Sequence, residues 1–192
     1  VMRQFGASAM PKCSVFIATS LDGFIARKNG NLDWLPGSDG VPVPGGEDYG
    51  YKSFFESIDT LILGRKTYEL ASSVPEWPYM GKSVVVLSSR YPKTLQPISQ
   101  NIEGTSLPPR ELLSEMESRS VQHIYVDGGT TIQSFLRDRL IDELTVTRLP
   151  VLIGEGISLF GPTGRDIKLR HILTRTFPSG FVQSKYGVDN AA

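Results

Sequence analysis

Apolar and polar positions alternate along this chain in two rhythms. Residues 13–19 form an unbroken β-branched and apolar run, CSVFIAT, of strand length. Residues 60–63, 83–87, 121–126 and 144–151 repeat that character. Between these runs the spacing becomes helical. Tyr51, Phe54, Phe55 and Ile58 recur at i, i+3, i+4 and i+7, the apolar stripe of a helix. Glu47 or Asp48 falls in its first turn, where a carboxylate complements the helix dipole. Residues 65–71, 109–119 and 130–139 are further predicted helices, and Pro109 opens one where its missing N–H does no harm. From residue 157 to 188 the alternation is weak, with turn signals at Gly161-Pro162 and Pro178-Ser179-Gly180, and predicts β-hairpins. Residues 27–47 are polar and rich in Gly and Pro. A connection this long inside a compact domain is usually functional or mobile.

Strands alternating with helices predict an α/β fold: a mixed, mostly parallel central sheet with flanking helices and a C-terminal antiparallel β-hairpin. The ligand is then expected at the carboxyl ends of the strands. The predicted organisation is a flexible leader over residues 1–12, one domain over 13–188 and a short tail over 189–192.

Composition narrows the partners. The 192 residues carry 20 Lys+Arg against 20 Asp+Glu. A net charge of zero argues against a nucleic-acid or anionic-membrane binder, both of which need a basic excess. The single cysteine, Cys13, makes neither an internal disulfide nor a multi-cysteine zinc site, and no metal is expected. No apolar run approaches the roughly 18 residues that span a bilayer. The N-terminal segment lacks the apolar block of a secretory signal, so a cytoplasmic protein acting on a small molecule is expected.

Three strand-end junctions carry candidate chemistry. The strand ending in Leu63-Gly64 is followed by Arg65, Lys66 and Thr67, two cations and a hydroxyl at a helix start. Backbone N–H groups there bind phosphate; solvated cations at an ordinary turn are the plain alternative. The strand ending at Val126 is followed by Asp127, Gly128, Gly129, Thr130 and Thr131, where paired glycines let a ligand approach the backbone. This is not the three-glycine Rossmann fingerprint. The third junction runs from Leu87 through Ser88 and Ser89 to Arg90. Three such junctions on one sheet edge point to an elongated, phosphate-bearing ligand.

With these residues in view, the chain resembles a family. The segments SLDGFIA (20–26), LGRKTYE (63–69), VLSS (86–89), DGG (127–129) and PVLIGEGISLF (150–160) occur in family order. Over about residues 13–187 they resemble the dihydrofolate reductase-like superfamily, in the branch related to the C-terminal reductase domain of riboflavin biosynthesis (RibD C-terminal domain-like). The resemblance implies NADPH as cofactor. Arg65, Lys66 and Thr67 would hold the 2′-phosphate, and Leu87, Ser88, Ser89 and Arg90 would line the adenosine. Gly128, Gly129, Thr130 and Thr131 would cradle the pyrophosphate. Ala18 and Ile25 would meet the nicotinamide, shielded by Trp34 on the long loop. Homodimers are common in such families.

For the acid, family spacing back from Gly64 lands on Asp48, supported by Thr147 on a later strand. A half-buried carboxylate there would have a raised pKa suited to proton transfer. Asp127, immediately before the paired glycines, is a rival, and Asp22 a weaker one. The cation and aromatic of folate enzymes correspond to Lys82 and Lys52, which speaks against folate. The implied activity is hydride transfer to a C=N or C=O group of a small polar, pterin- or pyrimidine-like heterocycle. A riboflavin-pathway aminouracil phosphate reductase, a dihydrofolate reductase and an NADPH-binding protein without turnover remain alternatives. His123 and His171 are expected to be structural or exposed.

Overall fold

The computed structural model describes residues 10–37, 44–89 and 101–190. Eight strands form one sheet in the order β5-β4-β3-β6-β1-β7-β10-β9, comprising β1 (Lys12–Ser20), β3 (Thr60–Gly64), β4 (Ser83–Leu87), β5 (Ile102–Thr105), β6 (His123–Asp127), β7 (Glu143–Leu149), β9 (Leu169–Thr176) and β10 (Val182–Val188). The six strands from β5 to β7 run parallel, and β10 and β9 close the sheet antiparallel. The fold is therefore the mixed, mostly parallel sheet with a C-terminal hairpin that the alternation predicts. A short pair, β2 (Phe24–Ala26) with β8 (Ile157–Ser158), stands apart from it.

Side chains one residue apart on a strand leave on opposite faces, and each face is buried under two helices. On one face Val15, Ile62, Val85, Ile124, Val126 and Leu144 pack under α3 (Pro109–Ser118) and α4 (Gly129–Arg137), through Leu112, Met116, Ile132 and Phe135. On the other, Leu61, Leu63, Val84, Val86 and Tyr125 pack under α1 (Tyr51–Ser57) and α2 (Arg65–Ser73). Burial on both faces explains why the central strands read as continuous apolar runs.

Three strands differ from the pattern-based expectation. β2, β5 and β8 have three, four and two residues, too few to show a period. The 144–151 run ends at Leu149, because the chain turns at Pro150. Part of the long loop, residues 38–43, lies outside the described residues; Pro44–Gly46 form a single 3-10 turn.

The β2–β8 pair anchors that loop beside the sheet. Gly156 sits so close to β2 that a Cβ would lie 2.3 Å from the carbonyl oxygen of Ala26. Gly156→Ala is therefore expected to force this pair apart and lower stability by about 1–3 kcal/mol. A lower urea midpoint at unchanged denaturant slope is the result to look for.

Candidate active site

β3 and β6 are hydrogen-bonded neighbours, so the helices that follow them start side by side. Neither start is capped by a side chain. Both leave backbone N–H groups available to a ligand. The two turns interlock. A Cβ on Gly64 would lie 2.8 Å from Thr131 Oγ1, and one on Gly128 would lie 2.5 Å from Thr67 Oγ1. Gly128 also holds a φ of +95°, a backbone that side-chain-bearing residues rarely adopt. A Cβ on Gly129 would meet Ile25 Cδ1 at 2.9 Å, which places Ile25 on the paired glycines.

The predicted cofactor residues thus gather on one sheet edge. Gly64 pairs in register with Leu87 at the end of β4, and Ser88 N–H bonds the Thr105 carbonyl at 2.9 Å. Lys66 and Ser89 are exposed, whereas Arg65 pairs with Glu69 at 2.6 Å, one helical turn on. Thr130 is exposed and Thr131 buried, so the two hydroxyls differ: one faces solvent, the other packs the junction. Ala18 sits mid-sheet in register with Thr147. Arg90 lies outside the described residues.

The candidate acids separate clearly. Asp127 ends β6, half-buried, immediately before the glycine pair. Its carboxylate accepts the Gly128 N–H at 2.8 Å and the Tyr79 hydroxyl at 3.4 Å. Burial outweighs those bonds and raises its pKa above the ordinary carboxylate value. The phenols of Tyr51, Tyr79 and Tyr125 surround it, each raised first by burial and then by the Asp127 charge.

Asp48 departs from the expectation of a half-buried, raised carboxyl. It is exposed and accepts the N–H groups of Gly50 at 2.9 Å and Lys52 at 3.0 Å. Those two bonds lower its pKa, because Asp48 satisfies free N–H groups at the start of α1, at Gly50 just before it and at Lys52 in its first turn. Thr147 is buried and does not bond Asp48. Its Oγ1 accepts from Gln183 Nε2 at 2.9 Å, and the same amide nitrogen reaches the Tyr49 carbonyl at 2.9 Å. Asp22 holds a neighbouring turn, accepting Gly154 N–H at 2.8 Å, and its pKa is lowered chiefly through Ser20. Lys82 donates to the Ile58 carbonyl at 2.6 Å and lies over the Phe55 ring, so it closes the end of α1. His123 has both ring nitrogens engaged, with Ser14 Oγ at 2.8 Å and the Ser57 carbonyl at 3.1 Å.

Tyr125 was legible as a companion of Asp127, since the two share a strand face. Tyr51, Tyr79 and Gln183 were not, because they arrive from remote elements. Trp34 adds one more group: its indole N–H is buried without a hydrogen-bond partner among the described residues. No group of metal-ligating side chains, and no helix long and apolar enough to cross a membrane, occurs among the described residues.

Comparison with known proteins agrees with this architecture. The family model described as the RibD C-terminal domain matches residues 11–183. The YwjB protein of Bacillus subtilis (strain 168) is 33% identical over 168 residues, covering 86% of this chain and 92% of its own length. The crystal structure of a putative riboflavin biosynthesis protein from Shewanella sp. PV-4 superposes with a TM-score of 0.85 at 35% identity, covering 93% of this chain and 99% of that one. Dihydrofolate reductase from Enterococcus faecalis shares the fold at a TM-score of 0.60 and 16% identity, covering 93% and 96%.

A carboxyl that holds its proton more tightly folded than unfolded lowers stability as pH climbs past its unfolded pKa. Asp127→Asn removes that penalty. The variant is expected to melt above the parent at pH 7, with the gap closing below pH 3.8, where both forms are neutral. Paired melting curves across pH measure this; a variant that melts lower at pH 7 would place Asp127 in a stabilising charged pair instead.

Proposed function

The chain belongs to the RibD C-terminal domain family, and on that premise we propose that it is an NADPH-dependent reductase. Its substrate is a small polar heterocycle with a reducible C=N or C=O group. The observation that carries the reading is the interlocked pair of uncapped helix starts at Gly64 and Gly128.

The residues present fit this cofactor. The Gly128-Gly129 cradle is space that a Cβ would fill, and Trp34 offers a buried donor that has no protein partner among the described residues. The N-termini of α2 and α4 would hold the phosphates, with Lys66 and Arg65 at the adenosine 2′-phosphate. Leu87, Ser88 and Ser89 would line the adenosine, and Thr130 would add a hydroxyl donor at the pyrophosphate. Ala18 and Ile25 would face the nicotinamide. When bound, the cofactor supplies hydride; the protein orients the partners and handles the proton.

Asp127 is the favoured acid. It stands at the sheet's carboxyl edge, next to the glycine cradle, with a pKa raised by burial. A carboxyl that keeps its proton toward neutral pH can donate it as hydride arrives. Tyr79 fixes its orientation through one oxygen. Asp48 and Thr147 act at one remove. Asp48 orders the start of α1, and Thr147, through Gln183, fixes the Tyr49 carbonyl beside it. A homodimer is also inferred, because Leu21, Phe160 and Leu169 are exposed around a groove floored by Leu144, Val146 and Tyr186.

Titration of the purified chain with NADPH, followed by nicotinamide fluorescence, is expected to saturate in the micromolar range, on the order of 1–100 μM. Absence of binding at high micromolar cofactor would end the reading. With pterins, pyrimidines and small carbonyls screened for NADPH oxidation, Asp127→Asn should lower turnover by about 10²–10⁴-fold while cofactor still binds. Binding without turnover on every compound would favour a nucleotide-binding protein. Sedimentation should give twice 21.1 kDa.

A further inference from the structure

The helix that opens at the glycine pair reaches back to what lies over its own start. Gln133 follows Gly129 by one helical turn on α4, so the two share a face of the helix. Its amide Nε2 donates to the Ser158 carbonyl at 3.1 Å and to the Leu159 carbonyl at 3.4 Å, where the chain leaves β8. A Cβ on Gly161 would lie 2.5 Å from Gln133 Oε1, so the chain also closes on the other side of the amide.

One carbonyl joins the two ends of that face. The Ser158 oxygen that Gln133 holds would lie 3.3 Å from a Cβ on Gly129, so β8 runs along the first turn of α4. β8 pairs with β2, with Ser158 opposite Phe24 and Ile157 opposite Ala26, and the Leu159 N–H bonds the Gly23 carbonyl at 3.1 Å. Between Phe24 and Ala26 stands Ile25, whose Cδ1 meets Gly129. The contacts form a closed circuit. It runs from α4 to β8 through Gln133, from β8 to β2 through the strand pair, and from β2 back to α4 through Ile25.

Two further ties hold the loops around this pair. Asp22 accepts the N–H groups of Ile153 at 3.3 Å and Gly154 at 2.8 Å, and Lys28 pairs with Glu155 at 2.6 Å. Both lie in solvent, where an ion pair holds weakly, and both join loop to loop. Gln133 instead ties the pair to the helix whose start forms the cradle.

We propose that Gln133 is a positioning residue for the nicotinamide half of the cofactor: by holding the Ser158 and Leu159 carbonyls to α4, it keeps Ile25 seated on Gly129 and so fixes one wall of the cradle. This rests on the reductase reading for the identity of the ligand, whereas the circuit of contacts stands without it. An amide suits the task, since it supplies two N–H donors to carbonyl oxygens and places no charge beside a diphosphate. Arg65 and Lys66, at the start of the neighbouring helix α2, lie outside the circuit. The adenosine end of the ligand is therefore independent of Gln133.

Gln133→Met keeps the length of the side chain and removes its donors. Calorimetric titration of parent and variant tests the role, with NADPH and with 2′,5′-ADP, which carries the adenosine phosphates and lacks the nicotinamide half. The variant is expected to bind NADPH about three- to tenfold more weakly, the worth of one neutral hydrogen bond, and to bind 2′,5′-ADP as the parent does. Unchanged 2′,5′-ADP binding also shows that the variant is folded. Weakening of 2′,5′-ADP as large as that of NADPH, or no change in either, overturns the role. A second measurement needs no variant. In the ¹⁵N-labelled parent, the side-chain amide signals of Gln133 should shift with NADPH and stay in place with 2′,5′-ADP; signals that ignore NADPH overturn the role. NADPH bound equally by parent and variant defeats only the role of Gln133. Failure of the parent to bind either ligand defeats the reductase reading, and the role with it.

Discussion

The site depends on how closely two strand ends approach. β3 and β6 pair in register, and each turns into a helix through a glycine that has no room for a side chain. Thr67 fills the space beside Gly128, and Thr131 the space beside Gly64. The consequence is electrostatic. Two helix starts without side-chain caps lie together, and their free N–H groups form one donor surface. A helix start normally satisfies these groups with its own serine, threonine or aspartate. Here both cap positions are glycines, Gly64 and Gly128, which have no side chain to offer and so leave the donors for a ligand.

The same edge sorts the acids by environment. Asp127 continues β6 into packed protein and keeps its proton to higher pH; Asp48 sits in solvent and is held ionised by two backbone N–H groups. One residue type therefore takes two forms, a carboxyl biased toward its protonated state beside the glycine pair and an ionised acceptor at the start of α1. The Gln183 amide, shared between Thr147 and the Tyr49 carbonyl, couples the start of α1 to the β7–β10 pair. That coupling, with the packing of Tyr49 on Phe177 and Phe181, ties the start of α1 to the β9–β10 turn.

Much of this was legible in the sequence. Buried parallel strands announce themselves as apolar runs, and residues 83–87 match β4 to the residue. The glycine junctions were visible because Gly64, Gly128 and Gly129 follow such runs directly. What escaped was non-local or too short. β2 and β8 have three and two residues and exist because they pair with each other. Tyr51 and Tyr79 reach Asp127 from α1 and from the turn before β4, so no spacing rule joins them to it. For Asp48, position along the chain locates the residue, but its exposure depends on what packs above it. The row from Ala18 through Thr147 to Gln183 needed the register of β1, β7 and β10, which are not neighbours in sequence.

Hydrogen exchange at the two helix starts distinguishes a pair that holds one dinucleotide between them from two separate turns. On addition of NADPH, the amides of residues 65–67 and 129–131 should slow together. NADH, which lacks the 2′-phosphate, should still slow 129–131 but protect 65–67 less. Protection at only one junction, or at neither, would contradict a shared site.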